Sequence, residues 1–420
     1  MKVILSASVA LIAVSAQGQV TFTKDVAPIL QKRCQVCHRP DTFAPMSLLT
    51  YEDARPWARS MKAKVVAREM PPWYIDKSVG IHNFKNDVSL TDQEIATISK
   101  WVDSGAPKGD PADMPPPRKF DSADQWHIRP DLIVTLPKDI LVPGSVPDRW
   151  VDVLVDTGLT EDRYIKGVEL KPAKGFRAVH HASTSMKHED DPDSADAVQG
   201  VFLNEYALGK NADVFPDNAG RLMKAGTKIN FNLHLHAIGQ DTPINVALAL
   251  ELYPKGYQPH YLETTEKVGD LHDLDIPANT DNVRVDGYNT LTKPARLLSY
   301  QPHLHNRGKA SCMEAIYPGG LKVETLSCVN KYQFAWHLVY LYNEDDQPLL
   351  PAGTILHLIS WYDNSNGNKA NPDPDNLITY GQRTIDEMSG AWVSYYYLSD
   401  EEFKQQTEAR KAKKGAERTD

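Results

Sequence analysis

The spacing of apolar and polar positions divides the chain into a short helical part and a long β part. Residues from about 22 to 106 read as helical, and Thr91-Asp-Gln-Glu94 has the spacing of a capping box that opens an amphipathic run ending near Gly105. From about residue 130 to 400, short β-branched and aromatic runs alternate with Gly, Pro, Asn and Asp, as in DLIVTLP, WVDVLVD, INFNLHLHAIG, INVALALELYP, TILHLISWYD and AWVSYYYL. Such runs predict an all-β sandwich or barrel architecture, with enough chain for two domains.

The predicted fold class is therefore multidomain, with a small all-α domain followed by two all-β domains of the antiparallel β-sandwich or jelly-roll type. The best boundary inside the β part is the segment LHDLDIPANTDN. The charged tail is expected to be a frayed helix or disordered. The predicted segments are a signal peptide (1–18), the α domain (20–110), a Pro-rich linker (111–129), the β domains (130–272 and 273–400) and the tail (401–420).

Composition and charge place the protein among globular proteins. Its 420 residues are 41% hydrophobic and 24% charged, which suits a chain with several cores. The formal net charge is −9 without a long basic stripe, and this argues against nucleic-acid binding.

The N-terminus has the pattern of an export signal. Lys2 precedes an apolar run from Val3 to Val14, and small residues occupy a cleavage site after Ala16. The apolar run is short for a membrane span, although a retained anchor is the alternative, and no later segment supplies a long uncharged run. We therefore expect a periplasmic or secreted protein.

The four cysteines form two pairs of different kinds. Cys312 and Cys328 flank a Tyr-Pro-Gly-Gly turn between two strand-like runs. In an exported protein this predicts a disulfide within a hairpin, with two buried free thiols as the alternative. Cys34 and Cys37 belong instead to the motif Cys-Gln-Val-Cys-His.

That motif is the attachment signature of c-type haem. Two thiols bond to the vinyl groups, and the adjacent His38 is placed under the iron. A redox or metal-binding cysteine pair is the alternative. The helical segment 20–110 is thus predicted to be a cytochrome c domain.

The haem iron needs a sixth ligand. Met70, in Arg-Glu-Met-Pro-Pro-Trp, is the preferred candidate because two prolines hold the following chain extended. Met46 and Met61 are rivals, and each of the three can instead be a core methionine.

Histidine doublets stand out in the β part. His303 and His305 lie two residues apart in a strand-like run, so their side chains point to one face. His180 and His181 are adjacent and can share a metal only at a strand end or bulge. A third ligand is then needed for each pair, and for the first pair it is His234 or His236 of the run FNLHLHAIG.

The donor types indicate the metal. Imidazole-rich sites suit zinc, copper, iron or nickel, whereas an added thioether selects copper. Met388, in Thr-Ile-Asp-Glu-Met just before the last strand-rich run, can supply that thioether to the pair His303 and His305. A zinc hydrolase stays open, although it would usually need a carboxylate or third histidine on each metal and a general base.

The order and approximate spacing of these donors resemble the copper type II, ascorbate-dependent monooxygenases, which include peptidylglycine α-hydroxylating monooxygenase and dopamine β-monooxygenase. The resemblance covers roughly residues 130 to 400 and includes Gly308-Lys309 after the second doublet and the Asp-Glu-Met turn. Residues 20 to 125 are similar to the cytochrome c modules fused to such domains in some bacterial exported proteins.

The resemblance implies two copper sites on two β-sandwich domains that face each other across a solvent-filled cleft. The first site would store and pass an electron, and the second would bind O2 and break a substrate C–H bond. For the first copper, the resemblance implies the ligands His180, His181 and His234, with His236 as the competing third ligand. For the second copper, it implies His303, His305 and Met388, which are the predicted catalytic residues.

Departures from the family concern the substrate. Peptide-hydroxylating members have an arginine two residues before the second histidine doublet, where this chain has Gln301. They also have Asn and Tyr where Gly390 and Trp392 stand, and a cysteine where Ser389 stands. Gln301 cannot form the bidentate ion pair that arginine would make with a substrate carboxylate, so a peptide substrate is not indicated.

The resulting prediction is an exported copper-dependent monooxygenase that carries two copper ions and one haem c. Its partners would be a small-molecule substrate and O2, with ascorbate or a redox protein as electron donor. The haem would be held by Cys34, Cys37, His38 and Met70. A copper and haem electron-transfer protein without hydroxylase activity, or an enzyme with a single metal, are the alternatives.

Overall fold

The computed structural model describes residues 18–40, 42, 44–120, 126–146, 148–189, 201–206, 212–269 and 272–416. The predicted signal peptide lies outside the described residues except for its last position. None of the described helices is long and apolar enough to cross a membrane.

Four short helices precede the β part: α1 (Ala27–Arg33), α2 (Tyr51–Ala54), α3 (Ala58–Val66) and α4 (Asp92–Asp103). The predicted capping box of α4 is confirmed. The Thr91 hydroxyl accepts the Glu94 N–H at 3.1 Å, and the Glu94 carboxylate accepts the Thr91 N–H at 2.8 Å. The helix ends just before Gly105, which adopts a φ of +90° that favours glycine.

The helices belong to an N-terminal compact unit formed by described residues up to Pro40, by Ala44–Pro71 and by Ser89–Phe120. Its core surrounds Trp101, which is fully buried and donates its indole N–H to the Pro107 carbonyl at 3.0 Å. Phe22 packs against this ring, with centroids 5.9 Å apart.

The predicted fold class is wrong. Strands make up 38% of the described residues and helices only 16%, and no small all-α cytochrome c domain is evident among them. Of the segment 20–110, residues 72–88 contain no helix and belong to the compact unit of the β part. Pro71 and Pro72 interrupt helical hydrogen bonding at its start, and Ile75 and Phe84 form β-bridges with Val329 and Tyr342 and enter a β core.

The β part is built from many short antiparallel strands, and the predicted runs around DLIVTLP, INVALALEL and AWVSYYYL are confirmed as strands. The charged tail forms helix α5 (Asp400–Ala416). The strands in the described residues are β1 (Leu132–Thr135), β2 (Ile140–Val142), β3 (Arg149–Asp156), β4 (Arg163–Lys174), β5 (Val179–Lys187), β6 (Val201–Tyr206), β7 (Asp213–Val214), β8 (Ala219–Met223), β9 (Lys228–Leu235), β10 (Thr242–Leu252), β11 (Tyr261–Val268), β12 (Asp275–Ile276), β13 (Asp281–Thr290), β14 (Ala295–His303), β15 (Gly308–Ile316), β16 (Val323–Val329), β17 (Tyr340–Leu341), β18 (Leu349–Leu350), β19 (Ile355–Asp363), β20 (Ile378–Thr379) and β21 (Gly390–Tyr397).

One eleven-stranded sheet runs through the whole β part in the order β1-β10-β4-β8-β11-β21-β14-β17, with β2, β7 and β18 beside β10, β4 and β14. A four-stranded sheet, β3-β9-β5-β6, covers a first core that includes Phe231 and Leu248. Another, β13-β19-β15-β16, covers a second core that includes Tyr300 and Tyr362. Each core thus lies between one four-stranded sheet and its own part of the large sheet.

The two halves of the large sheet meet where β8 runs parallel to β11, with Ala219 opposite Tyr261. A buried ion pair reinforces this junction, since Arg221 of β8 donates to the Glu263 carboxylate of β11 at 2.8 Å. The two side chains come from residues only 6% and 4% exposed. Arg221 also donates to the Thr265 hydroxyl at 2.8 Å and to the Leu203 carbonyl at 3.0 Å, so its charge is well satisfied.

The predicted disulfide is confirmed. Cys312 of β15 and Cys328 of β16 lie directly opposite each other, with Cα atoms 4.1 Å apart, and they are bonded. The turn at Pro318–Gly320 joins the two strands, and Gly319 and Gly320 adopt positive φ angles that favour glycine. The bond joins two residues that are 16 positions apart in the sequence.

We expect the double substitution Cys312→Ala/Cys328→Ala to lower the free energy of unfolding by about 2–4 kcal/mol, because the open chain regains loop entropy when unfolded. Urea denaturation without reductant measures the change. Adding a reductant should shift the parent protein to the midpoint of the variant and leave the variant unmoved. Equal midpoints for parent and variant would contradict a stabilising role for the bond.

Candidate metal centre

The first histidine group is assembled by the pairing of β5 with β9. His181 lies opposite His234 in the antiparallel register. The register shifts between Val179 and His181, which is the mark of a β-bulge at His180. This bulge removes the strict alternation of a regular strand, so two adjacent histidines can turn to one side.

Three imidazole nitrogens converge in this group. The Nδ1 atoms of His180 and His181 are 3.1 Å apart, and those of His181 and His234 are 3.3 Å apart. With metal–nitrogen bonds of about 2 Å, these separations correspond to ligand–metal–ligand angles of about 100–110°. The side-chain nitrogens of all three residues lie within 4.8 Å of one another, which fits a single metal ion.

Neighbouring side chains orient His234. Its Nε2 lies 3.0 Å from the Asp148 carboxylate, and its ring stacks on Trp150 with centroids 4.1 Å apart. A carboxylate on the far nitrogen of a ligating histidine fixes the tautomer and strengthens the other nitrogen as a donor. Nδ1 of His234, which is only 1% exposed, is thereby left to face the group.

His236 lies one residue beyond the end of β9. Its backbone N–H donates to the Ala178 carbonyl at 3.1 Å, and its ring centroid is 5.8 Å from that of His180. The structure therefore brings His234 into the convergent set and leaves His236 beside it. Between the two candidates for the third ligand, the geometry favours His234.

The second group forms where β14 pairs with β21. His303 is the last residue of β14 and lies opposite Gly390, the first residue of β21. Met388 lies two residues before the start of that strand. His305 lies beyond the strand end, in a turn, and its ring centroid is 5.6 Å from that of His303. The structure therefore brings the doublet and Met388 to one end of the sheet.

The carboxylate of Glu387 joins the two segments of this group. It accepts the backbone N–H of His305 at 2.8 Å, that of Arg307 at 2.7 Å and that of Met388 at 3.3 Å. Glu387 is fully buried, and burial raises its pKa to about 7 although the three N–H donors stabilise the charged form. One side chain thus fixes His305 relative to Met388.

The His305 ring is also oriented by the same segment. Its Nδ1 lies 3.1 Å from the Asp386 carbonyl, so this nitrogen carries the proton and Nε2 keeps its lone pair. His303 differs, because its buried Nδ1 has no hydrogen-bond partner among the described residues. An unpaired buried nitrogen is costly, and a bound metal ion would satisfy it.

Both groups contribute to one cavity of 530 Å3. His181 reaches it from the first group, and all three donors of the second group line it. Its size suits a small-molecule ligand. The remaining wall is mixed: five aromatic side chains line it together with a larger number of polar and charged ones, and the aromatic ones are Trp150, Phe202, Phe334, Tyr380 and Trp392.

The histidines are held in the neutral form. Burial lowers the pKa of His180 and of His305 to about 4. Burial, together with neighbouring imidazoles, lowers the pKa of His181 and of His303 well below the usual value. Neutral imidazoles have the free lone pairs that metal binding requires, so the site is prepared for a metal at neutral pH.

Gln301 does not face the cavity as a substrate clamp. It is buried and donates its amide to the carboxylate of Glu205, which is also buried. The position at which the resembled family has an arginine therefore serves an internal hydrogen bond here.

The predicted haem ligands lie in the N-terminal unit. Cys34 and Cys37 are partly buried and not bonded to each other, and burial raises the pKa of the Cys34 thiol to about 12. His38 places its Nδ1 3.2 Å from the Met46 carbonyl, which leaves Nε2 available.

The methionine candidates for the sixth haem ligand take different places. Met61 is buried in the helical core, and Met46 and Cys34 pack against that core. Met70 is half-buried in the turn after α3. The ligand assignment stays a prediction.

The sequence does not mark three residues around the site. Glu387 appears only as part of the turn before Met388, Asp148 carries no signal, and His337 lies beside Trp336 outside every histidine doublet. In the structure His337 is 4% exposed, and its ring lies 4.9 Å from that of His181 and 5.4 Å from that of His303 between centroids. Its distance in sequence from every doublet removes any spacing signal.

Comparisons with known proteins assign no family. No family model matches the chain, and no curated protein matches it. Among solved structures, the major capsid protein P2 from bacteriophage PM2 aligns at 8% identity over 64% of this chain and 98% of that chain, with a TM-score of 0.30. Allantoicase aligns at 10% identity over 60% and 78%, with a TM-score of 0.18. Likeness at this level identifies neither a fold family nor a function.

We expect Glu387→Gln to destabilise the protein by about 1–3 kcal/mol, because an amide cannot accept all three backbone N–H groups. Chemical denaturation measures the loss. Asp386→Asn is a matched control, since the neighbouring carboxylate pairs with the exposed Arg383 and such pairs contribute at most about 1 kcal/mol. Equal effects of the two substitutions would contradict the special role of Glu387.

Proposed function

We propose that the protein is an exported copper-dependent monooxygenase that hydroxylates a C–H bond of a small molecule. The observation that carries the proposal is the convergence of the Nδ1 atoms of His180, His181 and His234 beside a cavity lined by His303, His305 and Met388. Three imidazoles in one group, and two imidazoles with a thioether in the other, are donor sets that suit copper.

The residues present fit two copper ions. His180, His181 and His234 would hold one, and His303, His305 and Met388 would hold the other. Bound copper supplies one-electron chemistry and the activation of O2, and a thioether ligand favours the reduced metal. The buried, unpaired Nδ1 of His303 is the structural sign that this group lacks a partner.

The protein's own contribution is to position the histidine ligands. Glu387 and the Asp386 carbonyl orient His305, and Asp148 and Trp150 orient His234. The aromatic side chains in the mixed wall of the cavity would hold an apolar part of the substrate in the space that Met388 also lines. Because Gln301 is engaged with Glu205, a substrate carboxylate clamp of the peptide-hydroxylating kind is not part of the proposal.

Electrons would reach the copper ions from ascorbate, from a redox protein or from a haem on the Cys34-Gln-Val-Cys37-His38 motif. The proposal for haem rests on the motif and on the orientation of His38, whose Nδ1 faces the Met46 carbonyl at 3.2 Å. It concerns a covalently attached cofactor and not a cytochrome c fold.

We expect the purified protein to bind two Cu(II) ions per chain, both with type II EPR spectra, and to consume O2 when reduced. His303→Ala and Met388→Ala should abolish O2 consumption, because both remove donors from the proposed oxygen site. His260→Ala is the matched control, since this exposed histidine pairs with Glu402 and does not line the cavity. Metal analysis showing one copper or none, or O2 uptake unchanged in both variants, would refute the proposal.

For the haem, we expect the protein to keep its colour through denaturing electrophoresis when it is exported from cells that attach c-type haem. Cys34→Ala/Cys37→Ala should lose the covalent haem, measured by the pyridine haemochrome assay. Cys312→Ala/Cys328→Ala is the control, because it removes two cysteines of the same chain that form the disulfide. A colourless parent protein under these conditions would refute haem attachment.

A further inference from the structure

His337 lies between the two histidine groups without belonging to either. Its ring centroid is 4.9 Å from that of His181 and 5.4 Å from that of His303. With a metal–nitrogen bond of about 2 Å, rings that share one metal have centroids roughly 4.5–6 Å apart. His337 is therefore at ligand distance from a metal held by its neighbours.

Both ring nitrogens of His337 are buried and have no hydrogen-bond partner among the described residues. Nδ1 of His303, on the adjacent ring, is in the same condition. Two buried imidazoles side by side with unpaired nitrogens are rare in native proteins, because each such group loses its hydration without replacement. A metal ion between them would satisfy both.

A buried carboxylate stands behind His337. Oε1 of Glu205 lies 3.4 Å from Nδ1 of His337, although the alignment is not that of a hydrogen bond. Gln301 donates to the other oxygen of Glu205 and holds this carboxylate in place. A small rotation of the His337 ring would make Nδ1 the proton donor to Glu205 and leave Nε2 as the free donor, which is the arrangement of a metal-bound histidine.

We infer that His337 is a third imidazole ligand, through Nε2, of the metal at His303, His305 and Met388, and that Glu205 is its positioning residue. The inference rests on the proposed function, because it assumes a metal in this group. The His180 group already has three converging imidazoles, whereas the second group has two and a thioether. The ring of Phe334 packs against His305 and His337, with centroids 5.6 and 5.5 Å away, and also against His180 at 6.3 Å, so it lies between the two groups.

The consequence is a connection between the two groups. His337 would be bound to the second metal while its ring remains 4.9 Å between centroids from His181 of the first group. One side chain would then link the two sites directly, in place of a solvent-filled cleft between them.

The test isolates each site. His180→Ala/His234→Ala leaves the second site alone, and His303→Ala/Met388→Ala leaves the first alone. Each protein is loaded with one equivalent of Cu(II), and the number of nitrogen ligands is read by EPR and pulsed EPR. In the protein that keeps the second site, we expect three imidazole ligands with His337 intact and two after His337→Ala, with the Kd for Cu(II) raised at least about tenfold.

Further variants separate ligation from folding. His337→Gln keeps a polar side chain of similar length and should show the same loss of a nitrogen ligand, in case the alanine variant does not fold. Glu205→Gln should weaken Cu(II) binding by about tenfold while the nitrogen count stays at three. His272→Ala is the matched control, because this exposed histidine also lines the cavity and stacks on Tyr380; its spectrum and Kd should equal those of the parent.

Two results would overturn the inference while leaving the proposed function intact: two imidazoles in the second site with His337 present, or a spectral change from His337→Ala confined to the first site. Failure of both single-site proteins and of the intact protein to bind Cu(II) would refute the proposed function itself, and the ligand role of His337 with it.

Discussion

The second donor group depends on one constraint, the antiparallel pairing of β14 with β21. Because His303 is opposite Gly390, the segment that carries Met388 must leave the sheet beside the histidine doublet. A shift of this register by one residue would turn His303 to the other face of the sheet. Strand pairing does not fix the position of His305, which lies beyond the end of β14. The Glu387 carboxylate does so, since it accepts the backbone N–H groups of both His305 and Met388. Donors about 80 residues apart are thus held by hydrogen bonds of the main chain.

Much of the site could be predicted from the sequence because its donors are local doublets. Adjacent or alternating histidines are visible in a linear pattern, and the requirement of a bulge for His180 and His181 follows from strand geometry alone. The structure places that bulge at His180. The expectation that His303 and His305 both lie on a regular strand was less accurate, because β14 ends at His303 and a hydrogen bond to Glu387 positions His305.

The contributions of Asp148, Glu205 and His337 could not be predicted, because they come from loops or from strands far away in sequence. Nothing in the residues around them marks a partner, and their roles arise only from tertiary contacts. The predicted fold class is wrong for a related reason. Segment 72–88 lies between helices in sequence, which favours its assignment to a helical domain, yet its apolar side chains enter the core of the β part. Capping boxes and hairpin cysteines, in contrast, are short-range signals, and both predictions of that kind were confirmed.

The Arg221–Glu263 pair has a consequence for how the β part comes apart. It lies where the halves of the large sheet meet, a junction with only two paired residues on each strand. Separating the halves would expose a desolvated charge pair and also break the bond from Arg221 to the Thr265 hydroxyl of β11. Unfolding of one half alone therefore breaks the same buried ion pair as unfolding of both halves. The two cores should melt in a single cooperative transition, and the donors on either half should be lost together, not one group at a time.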